Sequence, residues 1–286
     1  MKKSARVGII GGGALGVGLL YFLTKEGWRD VVLIEKGELT SGSTWHAAGL
    51  VPHFITGLSM AKVHHVGSQL YKNLERETGY ATGWHGCGSI RLARCNDEVD
   101  WFHYVKGTLD YLGIESFIIG PEEIVKIHPL LVVNDVKLAL YTPTDGHTDP
   151  ASSTSSMAAG ARKEGAEIYR HTQVLNTRLL DNGEWEVVTS QGSIVCEHIV
   201  NAAGSFAKQV GEWVGLDLPI VNMKHHYLVT ENVPEIEDSQ EGQLDWDDLL
   251  RTLTASMHRL NIGTIDSFFV KTAQSYSDLL EMTPCW

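Results

Sequence analysis

The chain has too few cysteines, set too far apart, for a disulfide framework or a zinc site. Cys87, Cys95, Cys196 and Cys285 are the only four in 286 residues, and none falls in a C-x-x-C pair or a zinc-ligand spacing. Reduced thiols of a cytosolic protein account for them, and no metal site is expected. Positive charge is also scarce. The 23 Lys and Arg face 35 Asp and Glu, for a formal net charge of −12. Most of such a surface repels a polyanion, which excludes general nucleic-acid binding but leaves room for a local positive pocket. No apolar run reaches the ~18–20 residues that cross a bilayer. Residues 1–6 carry charge like the start of a leader peptide, but Gly11, Gly12 and Gly13 break the apolar stretch behind them. A strand of the fold therefore explains residues 7–10 better. The expectation is a soluble cytoplasmic protein without a membrane segment.

What is present is an α/β pattern. Residues 7–10 and 31–34 are all-apolar strands flanking a helical segment, 14–25, a unit that implies a parallel sheet covered on both faces. Residues 58–79 have helical spacing and end at Gly79, a suitable C-cap. A strand with one exposed face is expected at 89–93, and a helix at 97–112 with Trp101, Tyr104 and Val105 pointing inward. Residues 137–141 form another strand, then a turn-rich stretch to Gly146. Pro150 opens a helix to about Glu164, with Asp149 or Thr148 at its N-cap. Strands at 166–174, 185–189 and 194–200 follow, the turns supplied by Asp181-Asn182-Gly183 and Ser190-Gln191-Gly192. A helix over 205–214 precedes a last strand at 220–229. No internal repeat or low-complexity tract is present.

Gly11-Gly12-Gly13-Ala14-Leu15-Gly16 fits G-x-G-x-x-G directly after a strand and at the start of a helix. Such glycines let the backbone turn tightly and approach a pyrophosphate, whose charge sits at the helix N-terminus. Glu35 ends the second strand, where a carboxylate can accept from ribose hydroxyls. The motif alone is weak and a glycine-rich turn would also produce it; strand, helix and acid together point to a dinucleotide. That unit does not separate FAD from NAD. Asn201-Ala202-Ala203-Gly204, a second strand–turn–helix approach, favours FAD.

Between the acid and the next helix lies Ser41-Gly42-Ser43-Thr44-Trp45-His46-Ala47-Ala48-Gly49-Leu50, whose small residues let the backbone lie close to a flat ring. A lone histidine is by itself more often structural than reactive. This stretch, however, resembles the flavin-attachment loop of the dimethylglycine dehydrogenase and sarcosine dehydrogenase family. The likeness continues through Gly83-Trp84-His85, Gly88 to Ala93, Tyr141 to Pro150, Ala158 to Lys163, Asn201 to Gly204 and His225 to Thr230, covering about residues 5–239. It implies a Rossmann-like FAD-binding domain of the glutathione-reductase type, interleaved with an α+β substrate domain. The flavin domain would comprise 1–60 and 150–215, and the partial substrate domain 61–149 and 216–239. The resemblance further implies that Gly11, Gly13, Ala14, Leu15 and Gly16, with Glu35 and Lys36, hold pyrophosphate and ribose. Gly42 through Leu50 would line the flavin, with Ser43, Thr44, Trp45, Ala47, Ala48 and Gly49 around His46, the covalent link. Val174 would touch the adenine through its backbone, beside Ala203 and Gly204, and Phe206 stands where relatives carry a tryptophan.

The implied reaction oxidises an N-methyl amino acid, dimethylglycine or sarcosine, giving an iminium that hydrolyses to formaldehyde and the demethylated amine. The acceptor would be an electron-transfer flavoprotein or oxygen, and the location cytoplasmic in a bacterium or the mitochondrial matrix in a eukaryote. His225 and Tyr227 share a face of the expected last strand and are the catalytic candidates; core-edge polar residues are the plainer reading, and His226 points away. Arg91 could pair with a substrate carboxylate, or be a surface arginine. His147 and Asp149 sit where they could simply cap a helix. His64 and His65 diverge by about 100° on a helix and are not expected to share a metal. Beyond Ser239 the family pattern stops. Residues 258–269 resemble a segment of superfamily-one DNA helicases, without a Walker loop, so 240–286 is expected to be an unrelated tail on a truncated enzyme. The alternative to an active dehydrogenase is an inert FAD-binding fragment.

Overall fold

A computed structural model of the chain describes residues 1–129 and 131–223. In chain order the elements are β1 (Ser4–Ile10), α1 (Ala14–Lys25), β2 (Val31–Ile34), a 3-10 turn (Ser43–His46), β3 (Leu50–Val51), α2 (Leu58–Thr78), β4 (Ser89–Ala93), α3 (Asn96–Tyr111), β5 (Phe117–Ile119), α4 (Pro121–Ile127), β6 (Leu138–Thr142), β7 (Gly146–His147), α5 (Pro150–Lys163), β8 (Glu167–Tyr169), β9 (Val174–Leu179), β10 (Trp185–Thr189), β11 (Gly192–Asn201), a second 3-10 turn (Gly204–Phe206) and α6 (Ala207–Glu212). Met1–Leu92, Asp100–Ile119 and Ala139–Val221 form one compact unit, while Ala93–Val99 and Gly120–Leu138 fall in a second.

The principal sheet has the order β8-β2-β1-β11-β10-β9. β8, β2, β1 and β11 run parallel, and β10 and β9 extend them as an antiparallel arm. The parallel strands are apolar because both faces are covered. Val31 and Leu33 enter one core with Val7, Ile9, Val17, Leu20 and Met157. Val32 and Ile34 enter the opposite core with Val187, Ile194 and Cys196. Burial of each large side chain contributes roughly 1.5–3 kcal/mol. Helices α1 and α5 cross closely over the first face, since a Cβ on Gly160 would lie 2.8 Å from the Tyr21 ring. A smaller sheet has the order β4-β6-β5, and a two-stranded ribbon pairs β3 with β7.

Helix boundaries follow capping chemistry. Asp149 accepts the Ser152 N–H at 2.7 Å with Pro150 in the first helical position of α5. The Ser152 hydroxyl first, and its amide second, hold the Asp149 carboxyl below the usual carboxylate range. Gly79, at φ 79°, closes α2 in the left-handed conformation that glycine tolerates. Among the described residues no helix is long and apolar enough to cross a membrane.

Four expectations are corrected. Residues 166–174 are not one strand: the chain turns at His171, with φ 51°. There the His171 and Thr172 amides donate to the carbonyls of Gly37 and Glu35, past the end of β2. On α3 the buried stripe is Phe102, Val105 and Leu109, while Trp101 is 44% and Tyr104 62% exposed. The helix expected over 205–214 opens as a 3-10 turn and is α-helical only over Ala207–Glu212. Residues 220–223 are not strand, and the rest of the strand expected at 220–229 lies outside the described residues.

Cys196 packs over Gly8, where a Cβ would sit 2.8 Å from its Sγ. Burial pushes its thiol pKa up to about 11. At about pH 8 only about one thiol in a thousand there is ionised, whereas Cys87 is exposed. Iodoacetamide is expected to label Cys87 at least 100-fold faster than Cys196 in the folded protein, read by peptide mass spectrometry. Equal rates would mean that β11 does not pack on β1 as described.

Candidate functional site

The sheet reverses its winding between β1 and β11, and ligands of open α/β sheets bind in the crevice that such a reversal leaves beyond the strand ends. Two backbone loops meet there. Gly11, at φ 117°, leaves β1, and an added Cβ would lie 2.3 Å from the Ala202 carbonyl oxygen in the loop after β11. A Cβ on Gly16 would come within 2.0 Å of the Gly11 carbonyl oxygen. These two positions need glycine because backbone occupies the side-chain space. The Gly11 N–H donates to the Ile34 carbonyl and the Ala202 N–H to the Ile10 carbonyl, both at 2.9 Å, which fixes the crossing.

Helix α1 starts from this crossing with no acidic residue in its first turn, so its positive end faces the crevice without an internal counter-charge. Thr44 Oγ1 accepts the Ala14 N–H at 3.0 Å. Glu35 accepts the Gly12 N–H through Oε2 and the Gly37 N–H through Oε1, each at 2.7 Å. The carboxylate is thus held at the strand end by two amides.

Two adjoining clefts open here, of about 950 and 570 Å³, sharing Gly11, Glu35, Lys36, Ala203 and Phe206. The larger runs from Gly11–Leu15 past Thr40–Thr44 to Ala202–Phe206. The smaller is lined by Ile10, Ile34, Gln173, Val174, Val210 and Trp213 among others, an apolar slot suited to a flat base. The Lys36 ammonium lies 3.2 Å from the centre of the Phe206 ring, a cation–π contact at the junction of the two.

The loop carrying His46 stays on this side of the sheet. Its start is tied to the glycine loop by the Thr40 N–H donating to Gly12 O at 3.0 Å and by Thr44, and the 3-10 turn touches α5. His46 is exposed, with its Nδ1 3.1 Å from the Gly42 carbonyl oxygen. A carbonyl only accepts, so Nδ1 carries the proton and the neutral ring keeps its lone pair on Nε2. The Trp45 ring lies against the imidazole, with centroids 3.9 Å apart. Trp45 and Leu50 are 53% and 71% exposed.

The structure therefore brings together Gly11, Gly13, Ala14, Leu15, Gly16, Glu35, Lys36, Gly42, Ser43, Thr44, Val174, Ala203, Gly204 and Phe206 as lining of one crevice or its supports. Trp45, His46, Ala47, Ala48, Gly49 and Leu50 follow Thr44 along the chain and line neither cleft. Arg91 is exposed on β4, in keeping with the surface-arginine alternative, and its guanidinium lies 4.8 Å from the centre of the Phe54 ring. His64 Nδ1 donates to Pro52 O, and His65 Nδ1 meets His53 Nε2, so the adjacent imidazoles serve different partners. His225, His226 and Tyr227 lie outside the described residues. The sequence reading missed Gln173, Gln209, Val210 and Trp213. The last three sit on α6 or directly after it, and the position of that helix behind the Asn201–Gly204 turn was the available signal.

The profile described as FAD dependent oxidoreductase matches residues 6–281. The mitochondrial dimethylglycine dehydrogenase of Mus musculus is 47% identical over 236 residues, covering 82% of this chain and 27% of that protein. The mitochondrial sarcosine dehydrogenase of Homo sapiens is 35% identical over 244 residues, covering 83% and 27%. Among solved structures, L-proline dehydrogenase from P. horikoshii superposes with a TM-score of 0.72 at 28% identity, covering 77% of this chain and 58% of that one. The chain thus spans about a quarter of the length of these two curated relatives. The crevice fits FAD: a crossing that only glycine permits, a helix N-terminus with no acid in its own first turn, an acid at the strand end and an apolar slot beside it.

Removing the Glu35 carboxylate leaves two amides at the edge of the crevice without their acceptor, at roughly 1–3 kcal/mol. Glu35→Ala is expected to weaken FAD binding about 10- to 100-fold in a flavin fluorescence titration, with unchanged far-UV circular dichroism. Gly16→Ala, which drives a Cβ into the Gly11 carbonyl, is expected to abolish binding. Wild-type affinity in both variants would remove the crevice as the dinucleotide site.

Proposed function

The chain belongs to the FAD dependent oxidoreductase family, and from that premise we propose that it is the flavin-binding part of an N-methyl amino acid dehydrogenase with the flavin bonded to His46. The observation that carries this reading is the His46 ring. Its Nδ1–H is committed to Gly42 O at 3.1 Å, which leaves Nε2 free as a nucleophilic nitrogen on an exposed side chain two residues beyond Thr44 of the crevice lining. Two of its relatives are named dimethylglycine dehydrogenase and sarcosine dehydrogenase, so the proposed substrates are secondary and tertiary N-methyl amino acids of that kind.

FAD, when bound, supplies the acceptor for a hydride equivalent from the substrate's methyl carbon. The chain's residues do the rest. Gly11 to Gly16 and the α1 N-terminus bind the pyrophosphate, Glu35 orients the ribose, and the slot around Val174 and Trp213 takes the adenine. Residues 41–50 lie along the flavin and exclude water from one side of it. The amine must lose its ammonium proton before its nitrogen lone pair can assist; His225 is the proposed acceptor of that proton and Tyr227 the proposed orienting group. Arg91 is the proposed carboxylate partner, once it exchanges the Phe54 face for the substrate. The resulting iminium is hydrolysed by water to formaldehyde and the demethylated amine. We assign 1–60 and 150–215 to the flavin domain and 61–149 with 216–239 to a substrate domain. Electrons leave to an electron-transfer flavoprotein or to oxygen. The two relatives are named as mitochondrial, and the matrix is the proposed location in a eukaryote.

Purified protein loaded with FAD is expected to give a yellow pellet on acid precipitation, and His46→Ala a colourless one with reversible FAD binding kept within about threefold. Anaerobic dimethylglycine is expected to bleach the wild-type flavin. Acid-stable colour in His46→Ala would remove the tether, and flavin that neither dimethylglycine nor sarcosine reduces would leave only a cofactor-binding fragment.

A further inference from the structure

One buried carboxylate outside the crevice gathers more hydrogen bonds than any role described so far requires. The side chains of Asp145 and His53 are each 1% exposed. Asp145 Oδ1 accepts both the backbone N–H of His53 at 3.0 Å and its ring Nδ1–H at 2.5 Å. Oδ2 accepts the Ser89 hydroxyl at 2.5 Å, and the Asp145 carbonyl accepts the Gly88 N–H at 2.9 Å. His53 Nε2 then meets His65 Nδ1 of α2 at 3.3 Å. A carboxylate accepts only, so the His53 proton is on Nδ1. The other ring nitrogen, Nε2, is left facing α2 through His65. The carboxylate ties together segments that are 92 and 56 residues away from it in sequence.

Those segments frame the ribbon that ends the His46 loop. His53 lies two residues beyond β3, and Asp145 immediately precedes β7. Between them Leu50 pairs with His147 and Val51 with Gly146. The Thr148 N–H donates to Gly49 O at 2.9 Å. Gly49 sits at φ 76°, where a Cβ would lie 2.0 Å from Thr148 O. Phe54 extends the anchor by packing edge-on against Trp101 and Phe102, at 5.0 and 5.2 Å between centroids. The front of the loop is held by the glycine loop, its 3-10 turn touches α5, and its rear is held by this ribbon together with α2, where His64 bonds Pro52 O.

We propose that Asp145 and His53 are positioning residues for the flavin-attachment loop: their buried pair sets where β3 leaves, and so where His46 Nε2 stands relative to the dinucleotide crevice. The inference rests on the tether proposed above. It assigns both residues an effect on covalent attachment and little on reversible FAD binding, because the pyrophosphate and ribose contacts come from Gly11 to Gly16 and Glu35.

The test compares His53→Phe, His53→Asn and Asp145→Asn in the full chain. Asparagine at position 53 keeps an N–H donor near the place of Nδ1, so it should rescue what phenylalanine loses. In the apo proteins, amide hydrogen exchange at Leu50, Val51 and Thr148 is expected to quicken at least tenfold in His53→Phe and Asp145→Asn, and less than threefold in His53→Asn. The amides of β1 serve as the reference for global stability. After FAD loading, the acid-stable fraction is expected to fall at least tenfold in His53→Phe and Asp145→Asn but not in His53→Asn, with total bound FAD within threefold of wild type. If ribbon exchange is unchanged in His53→Phe and Asp145→Asn, the positioning role is overturned. Should wild type itself form no acid-stable flavin, the tether fails while the exchange measurement still decides the role of Asp145.

Discussion

The fold hangs on one contact between two stretches of main chain, the passage of Gly11 against Ala202 where β1 and β11 send their loops in opposite directions. No side chain can stand between them, because a Cβ on Gly11 would overlap the Ala202 carbonyl. From that crossing follow the start of α1, the direction of its positive end and the mouth of the crevice. Gly16 repeats the constraint one turn later by bringing the helix onto the Gly11 carbonyl. Everything placed around the crevice inherits its position from this junction, including Glu35, whose carboxylate is pinned through Gly12.

Much of this was legible in the residues because the determinants are local. The Gly11–Gly16 loop between an apolar strand and a helix, the acid at the end of 31–34, Pro150 behind Asp149, and Gly79 after 58–78 each write their geometry within a few positions. The misreadings have equally physical origins. On α3 both Trp101 and Phe102 are aromatic, and hydrophobicity alone did not show that the buried stripe runs Phe102–Val105–Leu109. Trp101 instead covers Phe54 with one edge while remaining partly in water. The break at His171 comes from amides that turn toward carbonyls beyond the end of β2, a partner more than 130 residues distant.

The His53–Asp145 pair shows the same limit more sharply. Nothing local to His53 or Asp145 announces their pairing: one follows a proline in a loop, the other sits in a turn-rich stretch. Only the fold brings them together, and burial then turns an ordinary turn aspartate into a group whose lone pairs are nearly all committed. Its surroundings explain why such a group is retained in a small-residue region. A ribbon of two residues per strand has too few ladder bonds to hold its own register, and the carboxylate ties it to β4 and α2.

Glu35 carries a consequence for which cofactors this crevice will refuse. Two amides hold the carboxylate at the strand end before any ligand arrives, so it cannot swing aside. A nucleotide bearing a phosphate on its adenosine ribose, as NADPH does, would bring a second anion against a fixed first one and meet repulsion where a plain ribose meets an acceptor. Discrimination between the phosphorylated and unphosphorylated cofactor pools of a cell is thereby built into the end of β2, as a charge held still by the main chain.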